Sequence, residues 1–125
     1  MSEQAEVLKA RTMRFALDVC GLIRLLPSWE PGPTVCHQLA KASTSVAFNY
    51  RASCRARSHA EFTAKIGTVT EESDESLGWL EFIEAAELIA GPADLPRLAA
   101  EARELLAIFS ASFGTARRRK RKRRT

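Results

Sequence analysis

Apolar residues recur every three or four positions along almost the whole chain, a spacing that is typical of amphipathic helices. Breaks in this pattern fall at the Gly- and Pro-rich stretches 27–33 and 91–96, and at Ser58, which Glu61 follows in a capping-box arrangement. No alternating run of β-branched residues competes as a strand. The pattern predicts an all-α fold, an antiparallel up-down four-helix bundle, with helices over roughly 3–26, 34–56, 59–89 and 95–114.

Each predicted helix carries one apolar stripe that should face the core. The first two stripes are Leu8, Phe15, Val19, Leu22 and Leu26, and Val35, Leu39, Ala42, Val46 and Tyr50. The other two are Phe62, Ile66, Val69, Ser73, Leu77, Leu80 and Ile83, and Leu98, Ala102, Leu105, Phe109 and Phe113. Trp79 and Phe82 lie off the third stripe. They indicate either a second apolar face used for self-association or one broad core face that buries them all.

Charge is distributed very unevenly along the chain. The run Arg117, Arg118, Arg119, Lys120, Arg121, Lys122, Arg123 and Arg124 supplies eight of the 19 basic residues, so the remainder has 11 basic against 15 acidic residues and a net charge of −4. Adjacent like charges repel and bury no apolar surface, so we expect a disordered tail over 117–125 after a bundle domain over 1–116. Such a tail favours nucleic acid as the partner; the alternative is a merely solubilising terminus.

Composition narrows the class of protein further. The three cysteines, Cys20, Cys36 and Cys54, are widely spaced and form no CxxC pair, which indicates a reducing compartment. No apolar stretch approaches the ~20 residues of a membrane-spanning helix. The chain also lacks a Glu-x-x-His pair, a phosphate-binding glycine loop and a nucleophile elbow, and Cys36 and His37 point in different directions on a helix. We therefore expect no enzyme activity, no metal and no cofactor.

Two arginines near the end of the second helix are further binding candidates. Arg51 and Arg55 are four residues apart and share a helix face, so they could clasp acidic residues of helix three or of a neighbouring subunit, or else bind phosphate. The ion-pair interpretation is favoured because helix three is rich in carboxylates. Asn49 falls beside the apolar stripe, and we expect its amide to bond across the bundle to another helix.

The stretch from Ser45 to Ile83 resembles the four-helix-bundle family named after proteins encoded in 23S rRNA intervening sequences. The shared features are an SxxAN-like second helix, a Ser-x-x-(Glu/Asp)-Phe start to the third, and a set that here comprises Glu72, Glu75, Trp79, Leu80 and Glu81. The resemblance extends more weakly to Arg14, Ala16 and Leu17. This chain departs from many relatives at Tyr50 and Arg51, where they carry an acidic residue, and in its basic tail.

The resemblance implies a bacterial, cytoplasmic, all-helical homopentamer without enzyme activity. It also implies kinship with the accessory protein of diversity-generating retroelements, a basic pentamer that associates with nucleic acid and a reverse transcriptase. Together with the tail, this leads to the expectation of a non-catalytic homo-oligomer that binds RNA or DNA mainly through non-specific electrostatic contacts. The alternatives are a protein-interaction scaffold with no direct nucleic-acid role and, less favoured, a nuclear import signal.

Overall fold

Four helices account for nearly all of the chain that the computed structural model describes, which is residues 2–91 and 94–124, with side chains up to Arg119. The helices are α1 (Glu3–Ile23), α2 (Gly32–Ser53), α3 (His59–Ala85) and α4 (Leu95–Arg124). No strand occurs in these two ranges. The predicted all-helical class and the number of helices are confirmed.

The helices pack in a ring. α1 contacts α2, α2 contacts α3, α3 contacts α4, and α4 returns to α1. Within the described ranges the α-carbons of the diagonal pairs stay more than 8 Å apart, and side chains such as Tyr50 of α2 and Phe109 of α4 meet across the core. Arg11 of α1 pairs with Glu101 of α4, and Asp18 of α1 pairs with Arg97 of α4. Residue numbers therefore decrease along α4 as they increase along α1, so these two helices are antiparallel. This order concerns α1 and α4 alone, and the up-down orientation of all four helices stays a prediction.

The core is built from the predicted stripes. Its largest fully buried side chains include Phe15, Val19, Leu39, Val46, Ile66, Leu80, Ile83, Leu98, Leu105 and Phe109. Thr12 and Ser73 are also buried, and each hydroxyl donates to a carbonyl of its own helix, so neither leaves an unpaired polar group in the core. Phe62 and Phe113 are only partly buried, since they pack near one end of the bundle.

The start of α3 follows the predicted capping pattern. Ser58 has extended backbone, and its Oγ accepts a hydrogen bond from the Glu61 amide at 3.0 Å. The return bond differs slightly from a full capping box, because a Glu61 carboxylate oxygen accepts from the Arg57 amide at 3.3 Å rather than from Ser58. The sequence therefore predicted the capping residue of α3 correctly.

α3 ends four residues earlier than predicted. Glu87 adopts a positive φ of 51°, and the Leu88 amide donates to the Ile83 carbonyl at 3.1 Å. This is a Schellman motif, in which the residue after the left-handed position packs back on the helix. Leu88 and Ile89 extended the apolar pattern because they pack on the core from outside the helix.

α4 differs most from the sequence prediction. It continues through Gly114 and the basic run to Arg124, so the structure does not confirm a disordered tail. Gly91 is the glycine with a positive φ among those described, and Gly114 does not end a helix. Extending an existing helix avoids the cost of nucleation, Lys and Arg are good helix formers, and cations are favourable at a helix C-terminus.

None of the described helices combines the length and the apolar character needed to cross a bilayer.

Candidate nucleic-acid interface

One end of the bundle gathers most of the arginines predicted to bind nucleic acid. His59 Nε2 lies 2.9 Å from the Ala116 carbonyl oxygen, and this contact joins the start of α3 to α4 just before the basic run. The connection between α2 and α3, which contains Arg55 and Arg57, therefore lies beside the point where the run begins. We call Arg51, Arg55, Arg57, Arg117, Arg118 and Arg119 the basic end; all six are exposed.

The first three arginines of the run are in contact with the bundle. The Arg117 guanidinium lies 4.9 Å from the centroid of the Phe113 ring, within cation–π range. Arg118 donates to the Thr115 hydroxyl at 3.3 Å, and Arg119 lines a cavity near His59. These contacts orient the side chains and leave their charges in solvent.

The whole run continues α4 as helical backbone and ends at Arg124, about 12 Å past Ala116. The predicted phosphate contacts of Lys120, Arg121, Lys122, Arg123 and Arg124 lie outside the described side chains.

The favoured ion pairs of Arg51 and Arg55 with helix three are not observed. Within the described residues neither side chain forms an ion pair. The reason is register: α2 ends beside the start of α3, and the acidic stretch that begins at Glu71 lies about 18 Å further along the helix. Arg51 instead lines a cleft of about 250 Å³ next to Lys9 and Glu6 of α1.

Some cations elsewhere on the bundle are neutralised by carboxylates. Arg11 donates to both carboxylate oxygens of Glu101 at 2.6 and 3.1 Å, which raises the pKa of Arg11, and it also contacts Glu104 at 3.3 Å. Arg97 bridges Asp18 and Asp94. Among the described side chains, those of the basic end make no such pair, and the same is true of Arg24, Lys41, Lys65 and Arg103. The basic end is therefore distinguished by the grouping of its six arginines.

Asn49 does not bond across the bundle. Its Nδ2 donates to the Ser45 carbonyl at 2.9 Å and to the Ser45 hydroxyl at 2.8 Å, both within α2. The prediction of an interhelical bond is wrong because a partly buried amide one turn from a serine finds its acceptors in its own helix.

The next two observations concern possible metal ligands and the acidic stretch of α3. The described residues contain no group of three or more His, Cys, Asp or Glu side chains that could hold a metal ion. The pKa of Glu72 is raised by partial burial and by the neighbouring Glu75 carboxylate, so the acidic stretch of α3 is internally repulsive.

A cavity at the basic end was not predicted from the sequence. Its lining comes from all four helices and includes Leu8, Tyr50, Phe62 and Phe109. These four residues belong to the core stripes, and stripe positions near a bundle end look the same in sequence as those at its centre. Helix packing alone reveals this space.

The fold and the site define a class: an all-helical, four-helix protein with one cationic end. No family model matches the chain, and no curated protein matches it. It is similar in structure to a protein of unknown function from the S23 ribosomal protein family of Bacteroides thetaiotaomicron VPI-5482, with a TM-score of 0.77 and 22% identity over 88% of this chain and 97% of the other. This similarity shows the fold.

Proposed function

We propose that this protein is a non-catalytic helical homo-oligomer that binds RNA or DNA through phosphate contacts of the basic end. The observation that supports the proposal is the group of exposed, unneutralised arginines around the His59–Ala116 contact, from which the helical basic run continues. Phosphate oxygens are the natural partners of guanidinium groups, which offer several donors in one plane.

Binding would be driven by counterion release. Each phosphate that a cation neutralises frees condensed counterions, so log affinity falls with log salt by about 0.7 per contact on single strands and about 0.9 on duplex DNA. Because these contacts do not read base edges, sequence selectivity would be low.

Assembly would multiply the effect. The resemblance implies a homopentamer, and apolar side chains outside the core offer contact surface: Phe48 is 58% exposed, Phe82 is 42% exposed, and Trp79 packs edge-on against Phe82. Several basic runs on one particle would raise affinity by avidity without any new type of contact.

Fluorescence anisotropy with a labelled oligonucleotide tests the proposal. We expect truncation after Ala116 to weaken binding and to reduce the salt slope, and substitution of Arg51 and Arg55 by Gln to reduce both by a smaller amount. Arg24→Gln is the matched control, since Arg24 is exposed and follows the end of α1 far from the basic end. Equal binding by the intact and truncated proteins would refute the role of the run.

The second candidate is a protein-interaction scaffold, and the partly exposed Trp79–Phe82 pair favours it. Phe82 is 42% exposed and Trp79 is half-buried, so apolar side chains of a partner could pack against this pair. The resemblance implies kinship with the retroelement accessory protein, so one such partner would be a reverse transcriptase, in a cytoplasmic setting. A protein partner that stays bound after nuclease treatment, and is lost with Trp79→Ala, would support this function.

A further inference from the structure

The basic end contains a sizeable cavity in addition to its charges. Its volume is about 520 Å³, within the range of small-molecule binding sites. Tyr50 and Phe109 are buried in its floor, with their ring centroids 5.2 Å apart. Exposed or half-buried polar residues also line it, among them Gln4 of α1 and Ser112 of α4. The cavity therefore combines an aromatic floor with a polar mouth.

A second cavity connects this space to the basic run. It has a volume of about 340 Å³ and shares Phe62, Ser112 and Thr115 with the first. Its remaining lining includes His59 and Arg119. The path from the aromatic floor thus leads past the half-buried ring of Phe62 to an exposed guanidinium.

We propose that this double cavity receives an unstacked nucleobase, so that the protein selects single-stranded RNA or DNA over duplex. The inference rests on the proposed nucleic-acid function and specifies its substrate. The base would stack on Phe62, its edge would meet the hydroxyl and amide groups of the mouth, and the adjacent phosphate would lie on Arg119. Aromatic side chains and cations combine in this way at single-strand sites, because every base has a π-face.

Electrostatics alone predicts the opposite preference. Duplex DNA has the higher charge density and the steeper salt dependence, and a basic helix fits its major groove. Bases in a duplex are paired and stacked, so they enter a cavity only after costly extrusion. A single-strand preference would therefore indicate that a base enters the cavity, whereas the basic run accounts for binding to either form.

The test compares a labelled single strand about 20 nucleotides long with its duplex, by anisotropy across a salt series. We expect the full-length protein to bind the single strand at least about 5-fold more tightly, the lower bound for stacking of one base. Ser112→Trp, which fills the cavity, should abolish this preference and leave the salt slope on duplex unchanged. Ser110→Trp is the matched control, because Ser110 is exposed on the same helix and lines neither cavity.

Phe62→Leu provides a second variant, since it removes the ring but keeps an apolar side chain; circular dichroism and thermal melting verify that both variants fold. Equal or tighter duplex binding by the unmodified protein would overturn the inference and leave phosphate binding intact. A single-strand preference that survives in folded Ser112→Trp and Phe62→Leu would also overturn it. Failure to bind either form at low salt would overturn the proposed function itself.

Discussion

Gly67 of α3 makes room for a ring of α4, and replacing it tests how closely these two helices approach. A Cβ at Gly67 would lie 3.0 Å from Phe113 Cε1 and 3.3 Å from Cζ, whereas a Cβ at Gly78 of the same helix would meet nothing within 4 Å. Both glycines lie inside α3. Gly67→Ala and Gly78→Ala therefore make the same chemical change in the same helix, with and without a steric conflict.

The two substitutions should have different effects on the free energy of unfolding. Alanine is favoured over glycine in a helix interior by about 1 kcal/mol, and at Gly78 this gain should appear in full. At Gly67 the methyl group forces Phe113 to shift, and overpacking of this kind costs about 1–3 kcal/mol. We expect Gly67→Ala to be between neutral and about 2 kcal/mol destabilising, so the variants should differ by about 1–3 kcal/mol.

Urea denaturation measures this difference. The midpoints should move in opposite directions, or only the Gly78→Ala midpoint should rise, with unchanged m values. All samples need the same protein concentration, because the stability of an oligomer depends on it. An equal gain in both variants would refute the close packing of Gly67 against Phe113, and with it the described position of the ring that contacts Arg117.

Three smaller predictions concern helix ends and charge. Ser58→Ala removes the cap on the Glu61 amide and should cost about 1 kcal/mol by urea denaturation, whereas an unchanged midpoint would mean that the cap does not form in solution. Glu87→Gly relieves a positive φ and should stabilise the protein by up to about 1 kcal/mol in the same assay; a loss would contradict the Schellman ending of α3. Because burial and Glu75 raise the pKa of Glu72 in the folded state, that state binds the proton more tightly and loses stability as the carboxyl ionises with rising pH. Glu72→Gln should therefore raise thermal stability at pH 7 and lose this advantage below the usual glutamate pKa of about 4.3, and a loss at pH 7 would contradict it.

The helices were predictable because their signal is local. Stripes such as the one from Val35 to Tyr50 repeat at the helical period, and each helix buries the face that its own sequence marks. The start of α3 was equally clear, since a serine cap and a glutamate three residues later act within one turn.

Helix ends were harder because they depend on what each end packs against. Nothing in the order of residues around Glu87 separates a helix that continues to Ile89 from one that closes on the Ile83 carbonyl. At the other extreme, Gly114 resembles a terminator, but α4 is already packed there through Phe113 and Ala116, so the helix continues. At both places tertiary packing, rather than local helix propensity, determines where the helix ends.

The site was predictable in its charges and not in its arrangement. The basic run from Arg117 to Arg124 is evident from the sequence alone. The start of the run lies near Arg55 because of the 2.9 Å contact between His59 and Ala116, which are 57 positions apart. The cavity shows the same limit, because its lining from four helices becomes one space only after the bundle is packed.

The helical form of the basic run changes what the truncation experiment should measure. An extended chain of eight residues reaches about 27 Å, enough for every cation to find its own phosphate, whereas the helix continues only about 12 Å past Ala116 and turns successive residues 100° apart. About half of its positions can then face one partner. On duplex DNA, loss of the run should reduce the salt slope by about 4 if the helix persists and by about 7 if the run extends. A loss near 7 would show that the run unwinds when it binds, and the arginines held by Phe113 and Thr115 would be the last ordered part of the interface.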